Sequence, residues 1–100
     1  MFVKIHKSHN VRPVIAICDA ELIGKKFIEG KRQLDIKESF YKGEQIDETK
    51  LMFIFKVQSA SDASFNIIGK KSIALAIKAG IINESAIQKL KGIPFALVLL

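Results

Sequence analysis

Apolar and polar residues alternate over "FVKIHK" (residues 2–7), which predicts a half-buried strand with Val3 and Ile5 on one face. The next run, "RPVIAIC" (12–18), is almost continuously apolar and reads as a more deeply buried strand. Pro13 lies near its start, where a missing N–H is tolerated. Ser8, His9 and Asn10 supply turn chemistry between the two, so a hairpin is expected. Asp19 stands where it can cap a short helical turn, "AELI", closed by Gly24. Residues 26–36 bend at Gly30, "RQLDI" is a further strand, and "ESFYKGE" is a short helix or turn around Gly43.

The clearest helix start is Asp47, placed as N-cap with Ile46 before it and Leu51 at the fourth helical position, a hydrophobic-staple pair. The helix continues through "ETKLMFIFKV" to the Ser- and Asp-bearing stretch 59–62. "SFNIIG" fits either a strand or the start of a helix. "KKSIALAIKA" is helical, with Ile73, Ala76 and Ile77 on one face and Gly80 just past its end. Asn83 can cap another short turn. The remainder, "IQKLKGIPFALVLL", forms a closing hairpin around Lys91–Gly92, with a helix through Leu90 as the alternative. The expected fold is a single α+β domain over residues 1–100, antiparallel strands packed against two or three helices.

Composition narrows the classes. An apolar fraction of 49% and a charged fraction of 26% suit a globular chain able to bury one core. The opening residues lack the apolar stretch of a signal peptide, and the longest apolar run, residues 93–100, is too short to cross a bilayer. A soluble cytoplasmic protein with no membrane association is therefore expected. Cys18 is the only cysteine, which leaves no intramolecular disulfide and no cysteine-rich zinc site. Sixteen Lys and Arg against ten Asp and Glu give a net charge of +6. Such an excess favours acidic partners, nucleic acid among them. Only Arg12 and Arg32 carry the planar fork that reads bases, so the charge points to backbone contact and not to sequence readout.

The segments "AICDAELIGKKF", "FYKGE" with Ile46–Asp47, "FNIIGKKSIALAIKAGII" and "GIPFA" follow one another in this order. Together they resemble a family of small archaeal proteins known as domain of unknown function 424, over nearly the whole chain. The resemblance implies a compact α+β domain in the archaeal cytoplasm and assigns no activity. A histidine often follows the proline of the family's last segment; Phe95 stands there in this chain, so no role of that histidine carries over.

Two glycine–lysine corners carry the candidate chemistry: Gly24-Lys25-Lys26 and Gly69-Lys70-Lys71-Ser72. The second is not a phosphate-binding P-loop, because Ser64 stands where that motif needs its first glycine and Lys71 separates Lys70 from Ser72. A simpler anion site remains open there: a helix beginning near Gly69 would offer free N–H groups beside two ammonium groups. The alternative is a close-packed glycine with solvated lysines. Lys25 and Lys26, with Lys31 and Arg32, form a secondary basic patch. The first two follow a helical turn whose carbonyl end accounts for them without a ligand. Asn66, polar amid "FNIIG", is expected to cap or brace a neighbouring segment or else to contact a ligand.

Phe40 and Tyr41, flanked by Lys37 and Lys42, read either as a base-stacking pair or as core. A thiolate–imidazole pair or a metal site from Cys18, His6 and His9 has no spacing signature behind it. Among the acidic residues Glu44, Asp47 and Glu48, only Asp47 has a role, as a cap. No catalytic residue, metal or cofactor is assigned. The leading expectation is a non-enzymatic basic module contacting RNA or a ribonucleoprotein surface through phosphates. The alternative is a protein-interaction or homo-oligomeric module in which "FALVLL" is an edge strand completed by a partner. A small-molecule enzyme comes third.

Overall fold

The alternating and continuous apolar runs at the start of the chain become β1 (Phe2–Ser8) and β2 (Val11–Cys18), paired antiparallel. The computed structural model describes residues 1–8 and 11–99, so the expected turn at His9 and Asn10 lies outside the described residues. A 3₁₀ turn (Ala20–Leu22) leads to β3 (Lys26–Glu29) and β4 (Arg32–Asp35), a small separate hairpin around Gly30 of which only the second strand was expected. A four-residue helix, α1 (Glu38–Tyr41), precedes β5 (Glu44–Gln45), which pairs with β1. Gly43 permits that pairing, because a Cβ there would lie 2.2 Å from the Val3 carbonyl oxygen.

The long helix α2 (Glu48–Ser59) starts as expected. The Lys50 N–H donates to Asp47 Oδ1 at 2.9 Å, and Ile46 and Leu51 are buried in one cluster. "SFNII" resolves as a strand, β6 (Ser64–Ile68), followed by α3 (Lys70–Lys78). On α3 the buried residues are Ser72, Ile73, Leu75 and Ala76; Ile77, expected on the inner face, is exposed. The inner stripe is centred one residue earlier than the apolar pattern indicated, because a buried serine belongs to it. A second 3₁₀ turn (Glu84–Ala86) follows Asn83, whose side-chain oxygen accepts from the Ser85 hydroxyl instead of capping the turn's backbone. The closing hairpin, β7 (Gln88–Leu90) and β8 (Ile93–Val98), turns at Lys91 and Gly92. Their φ values of 53° and 76° match the mirror-image turn that suits strand twist.

Six strands form one sheet in the order β5-β1-β2-β6-β8-β7. Neighbours are antiparallel except β2 and β6, which run parallel at the centre. Helices α2 and α3 cover one face, over a core that includes Ile15, Ile17, Phe65, Ile67, Leu51, Phe55 and Ile73. The Phe55 and Phe65 rings meet at 5.5 Å across that interface. The other face carries a smaller core of Cys18, Ile68, Leu22 and Ile36, with Phe95 beside Ile68 in the sheet and side chains of the β3–β4 hairpin and Tyr41 packed against it. No helix among the described residues is long and apolar enough to cross a membrane.

Candidate functional site

The parallel pair brings two chain reversals together. Cys18 and Ile68 are register partners, so the residues after them, Asp19 and Gly69, emerge side by side at the carboxyl ends of β2 and β6. The Asp19 N–H donates to the Ile68 carbonyl at 3.0 Å, and the Gly69 N–H to that of Pro94 at 2.9 Å. These bonds aim the Asp19 side chain at the first turn of α3. Its Oδ2 accepts from the Lys71 N–H at 3.0 Å, and its Oδ1 from the Ser72 N–H at 2.9 Å and the Ser72 hydroxyl at 2.7 Å. Asp19 is 2% exposed and Ser72 fully buried. Gly69 makes the approach possible: its φ is 111°, and a Cβ would lie 2.3 Å from Asp19 Cγ.

This geometry corrects two expectations. Asp19 makes no side-chain cap to the 3₁₀ turn that follows it. Instead it caps a helix 53 residues away, as far as Ser72. The N–H groups of Lys71 and Ser72, expected to be free for an external anion, already hold an internal one. A carboxylate at a helix start is favoured both by hydrogen bonding and by the helix dipole, worth roughly 0.3–1 kcal/mol for the dipole part. Gly69 and Ser72 therefore belong to an intramolecular latch. No feature of the local sequence marked it, beyond an acidic residue directly after a buried strand.

Lys70 and Lys71 remain exposed at the rim. Beside them lies a cleft of about 300 Å³, lined by Glu21, Leu22, Ile93 and Pro94 together with the two lysines and the Asp19–Gly69 pair. Leu22 ends the turn just before the first glycine–lysine corner. Lys25 and Lys26 do not line the cleft. The Lys25 N–H donates to Leu22 and its carbonyl accepts from Ile36, which places both lysines at the foot of the β3–β4 hairpin. Lys31 and Arg32 are at its tip. There Arg32 Nη2 donates to Gln88 Oε1 at 3.3 Å, and Glu29 Oε2 accepts from the Lys91 N–H at 2.9 Å, tying hairpin to hairpin. Two wider clefts of about 500 Å³ each share Phe53 on the α2 side of the molecule.

Asn66 caps nothing. It lies mid-strand, in a cross-strand row with Ala16 and Leu97, on the face away from α2 and α3. Among the described residues its side chain has no hydrogen-bond partner. Phe40 is half-buried, its ring stacked on His6 at 4.3 Å, while His6 Nε2 donates to the Phe40 carbonyl at 2.8 Å. Tyr41 meets Phe40 edge-on at 5.0 Å. Cys18 is fully buried, and burial, followed by the Asp19 charge, pushes its thiol up to about 12. A thiol so held is no nucleophile near neutral pH. His6 is register partner of Val14, well along the strand from Cys18, and His9 is outside the described residues. No cluster of three His, Cys, Asp or Glu side chains able to hold a metal forms among the described residues.

No curated protein matches the chain. A solved structure described as an uncharacterized conserved protein from Methanopyrus kandleri, an archaeon, is similar, with a TM-score of 0.82 at 25% identity over 98% of this chain and 90% of that one. Residues 6–100 match the family described as Protein of unknown function (DUF424), and the chain belongs to that family.

Proposed function

We propose that this protein is a basic, non-enzymatic module of the archaeal cytoplasm that contacts RNA, free or on a ribonucleoprotein surface, through its phosphates. The carrying observation is that the lysine charge is not neutralised by carboxylates within the described residues. Among the described residues no lysine forms an ion pair with a carboxylate, although the net charge is +6. Lys70 and Lys71 are the centre of the reading. They are exposed at a helix start, where the dipole disfavours cations, and they line a cleft with Asp19 and Glu21. Because Asp19 holds the nearby N–H groups, phosphate would meet ammonium groups and not backbone.

The test is retention of a single-stranded homopolymer RNA at several salt concentrations. Lys70→Glu with Lys71→Glu should weaken binding alike for all homopolymers. It should also reduce the log–log salt slope by roughly 0.7 for every phosphate that is no longer neutralised. The same change at Lys25 and Lys26 should do less. Absence of salt-dependent retention by the unmodified protein would rule the reading out.

A further inference from the structure

Among the described residues, one stretch of the sheet's edge is neither paired by a strand nor charged. In the β6–β8 ladder the Gly69 N–H donates to the Pro94 carbonyl, which sets the alternation along β8. Pro94, Ala96 and Val98 direct their backbone groups at β6, and Ile93, Phe95 and Leu97 direct theirs the other way. Strand β7 takes up Ile93 and Phe95, paired with Leu90 and Gln88, and ends there. Leu97 and, one pleat on, Leu99 therefore present N–H and C=O groups outward with no strand beside them among the described residues. Their side chains are 57% and 75% exposed. Alongside runs a cleft of about 480 Å³ whose lining, including Ile81, Ile82, Asn83 and Ala86, has no charged side chain.

Sheet edges are ordinarily blunted by shortness, charge or proline. The outer strands here follow that rule: β5 is two residues long with Glu44, and β7 three residues long with Lys89. The half of β8 beyond Phe95 is as short as β7, but it carries neither charge nor proline. An unpaired row of backbone groups asks for an extended strand, and surroundings without a charged side chain ask for an uncharged one.

We propose that this edge is a homodimer interface, in which the same stretch of a second copy pairs antiparallel across a twofold axis at Val98. Leu97 then faces Leu99 of the partner copy and the reverse, each pair exchanging both its N–H···O bonds. A twofold contact needs a surface complementary to itself, and residues 93–99 meet that condition because they contain no charge to repel its copy. This inference is independent of the RNA reading.

Sedimentation equilibrium over a dilution series tests it. The expected mass at high concentration is twice the chain's 11.1 kDa. Replacing Leu97 and Leu99 together by lysine should halve that mass while the circular dichroism spectrum is kept. In the unmodified protein the Leu97 and Leu99 amides should exchange with solvent slowly when concentrated and rapidly on dilution. Salt gives an orthogonal signature: it screens the repulsion between two basic copies and tightens the dimer, whereas it loosens RNA. A single-chain mass throughout, or a dimer that survives both lysines, would overturn the proposal.

Discussion

Cys18 and Tyr41 share the smaller core, and both are acids that the fold keeps protonated. Burial, then the Asp19 charge, moves the thiol from 9.0 to about 12. Burial, then Cys18, moves the phenol from 10.0 to about 12. Because both folded-state values are raised, their contribution is fully present below the unfolded-state values. Above about pH 9 the unfolded chain releases the Cys18 proton first, so stability falls and this contribution is lost as pH passes about 12. Cys18→Ala should therefore flatten the decline of the urea midpoint across that alkaline range. An unchanged profile would mean that the thiol is not held as described. The burial of Cys18 was legible, since it ends a continuous apolar run; its closeness to Tyr41 was not, because the two meet only through the sheet's second face.

At the scale of elements, α2 and α3 start on two kinds of cap. The Asp47 carboxylate is exposed and bonds one N–H within its own turn. The Asp19 carboxylate is buried and accepts three bonds, one of them from a hydroxyl with no access to water. Asp47→Ala should cost roughly 0.5–2 kcal/mol. Asp19→Ala should cost more, because it also strands the Ser72 hydroxyl, and a hydrogen bond to a charged group is alone worth about 1.5–3 kcal/mol. Urea unfolding of the two variants compares them directly, and equal destabilisation would contradict the latch. The same pair shows what the sequence could reveal. The Asp47 cap, its staple and the Lys91–Gly92 turn were readable because each is specified within about four residues. The Asp19 cap, the parallel β2–β6 pairing and the buried Ser72 depend on residues half a chain apart. A local pattern cannot register such partners. Gly69 shows the limit well: its link to a lysine-rich helix start was visible, but the side chain it makes room for was not.

At the scale of the whole molecule, the sheet divides the protein into a helical side holding the larger core and a hairpin side holding the smaller one. The central parallel pair makes this division possible, since the chain between β2 and β6 supplies first the hairpin on one face and then α2 on the other. That connection also dictates an order of events in time. Closing a long loop costs entropy before any contact repays it. The middle of the sheet therefore cannot assemble until the second half of the chain is present, and the Asp19 latch, spanning 53 residues, has to follow the strands that position it. A late contact governs how fast a protein comes apart more than how fast it forms. In stopped-flow chevrons, Asp19→Ala should raise the rate along the unfolding arm, while the refolding rate stays near that of the unmodified chain. A matching drop in the refolding rate would instead place the latch in the nucleus. If the latch is late, the carboxylate that ties β2 to α3 is a kinetic clasp, setting the lifetime of the folded state and leaving its route of formation to the strands.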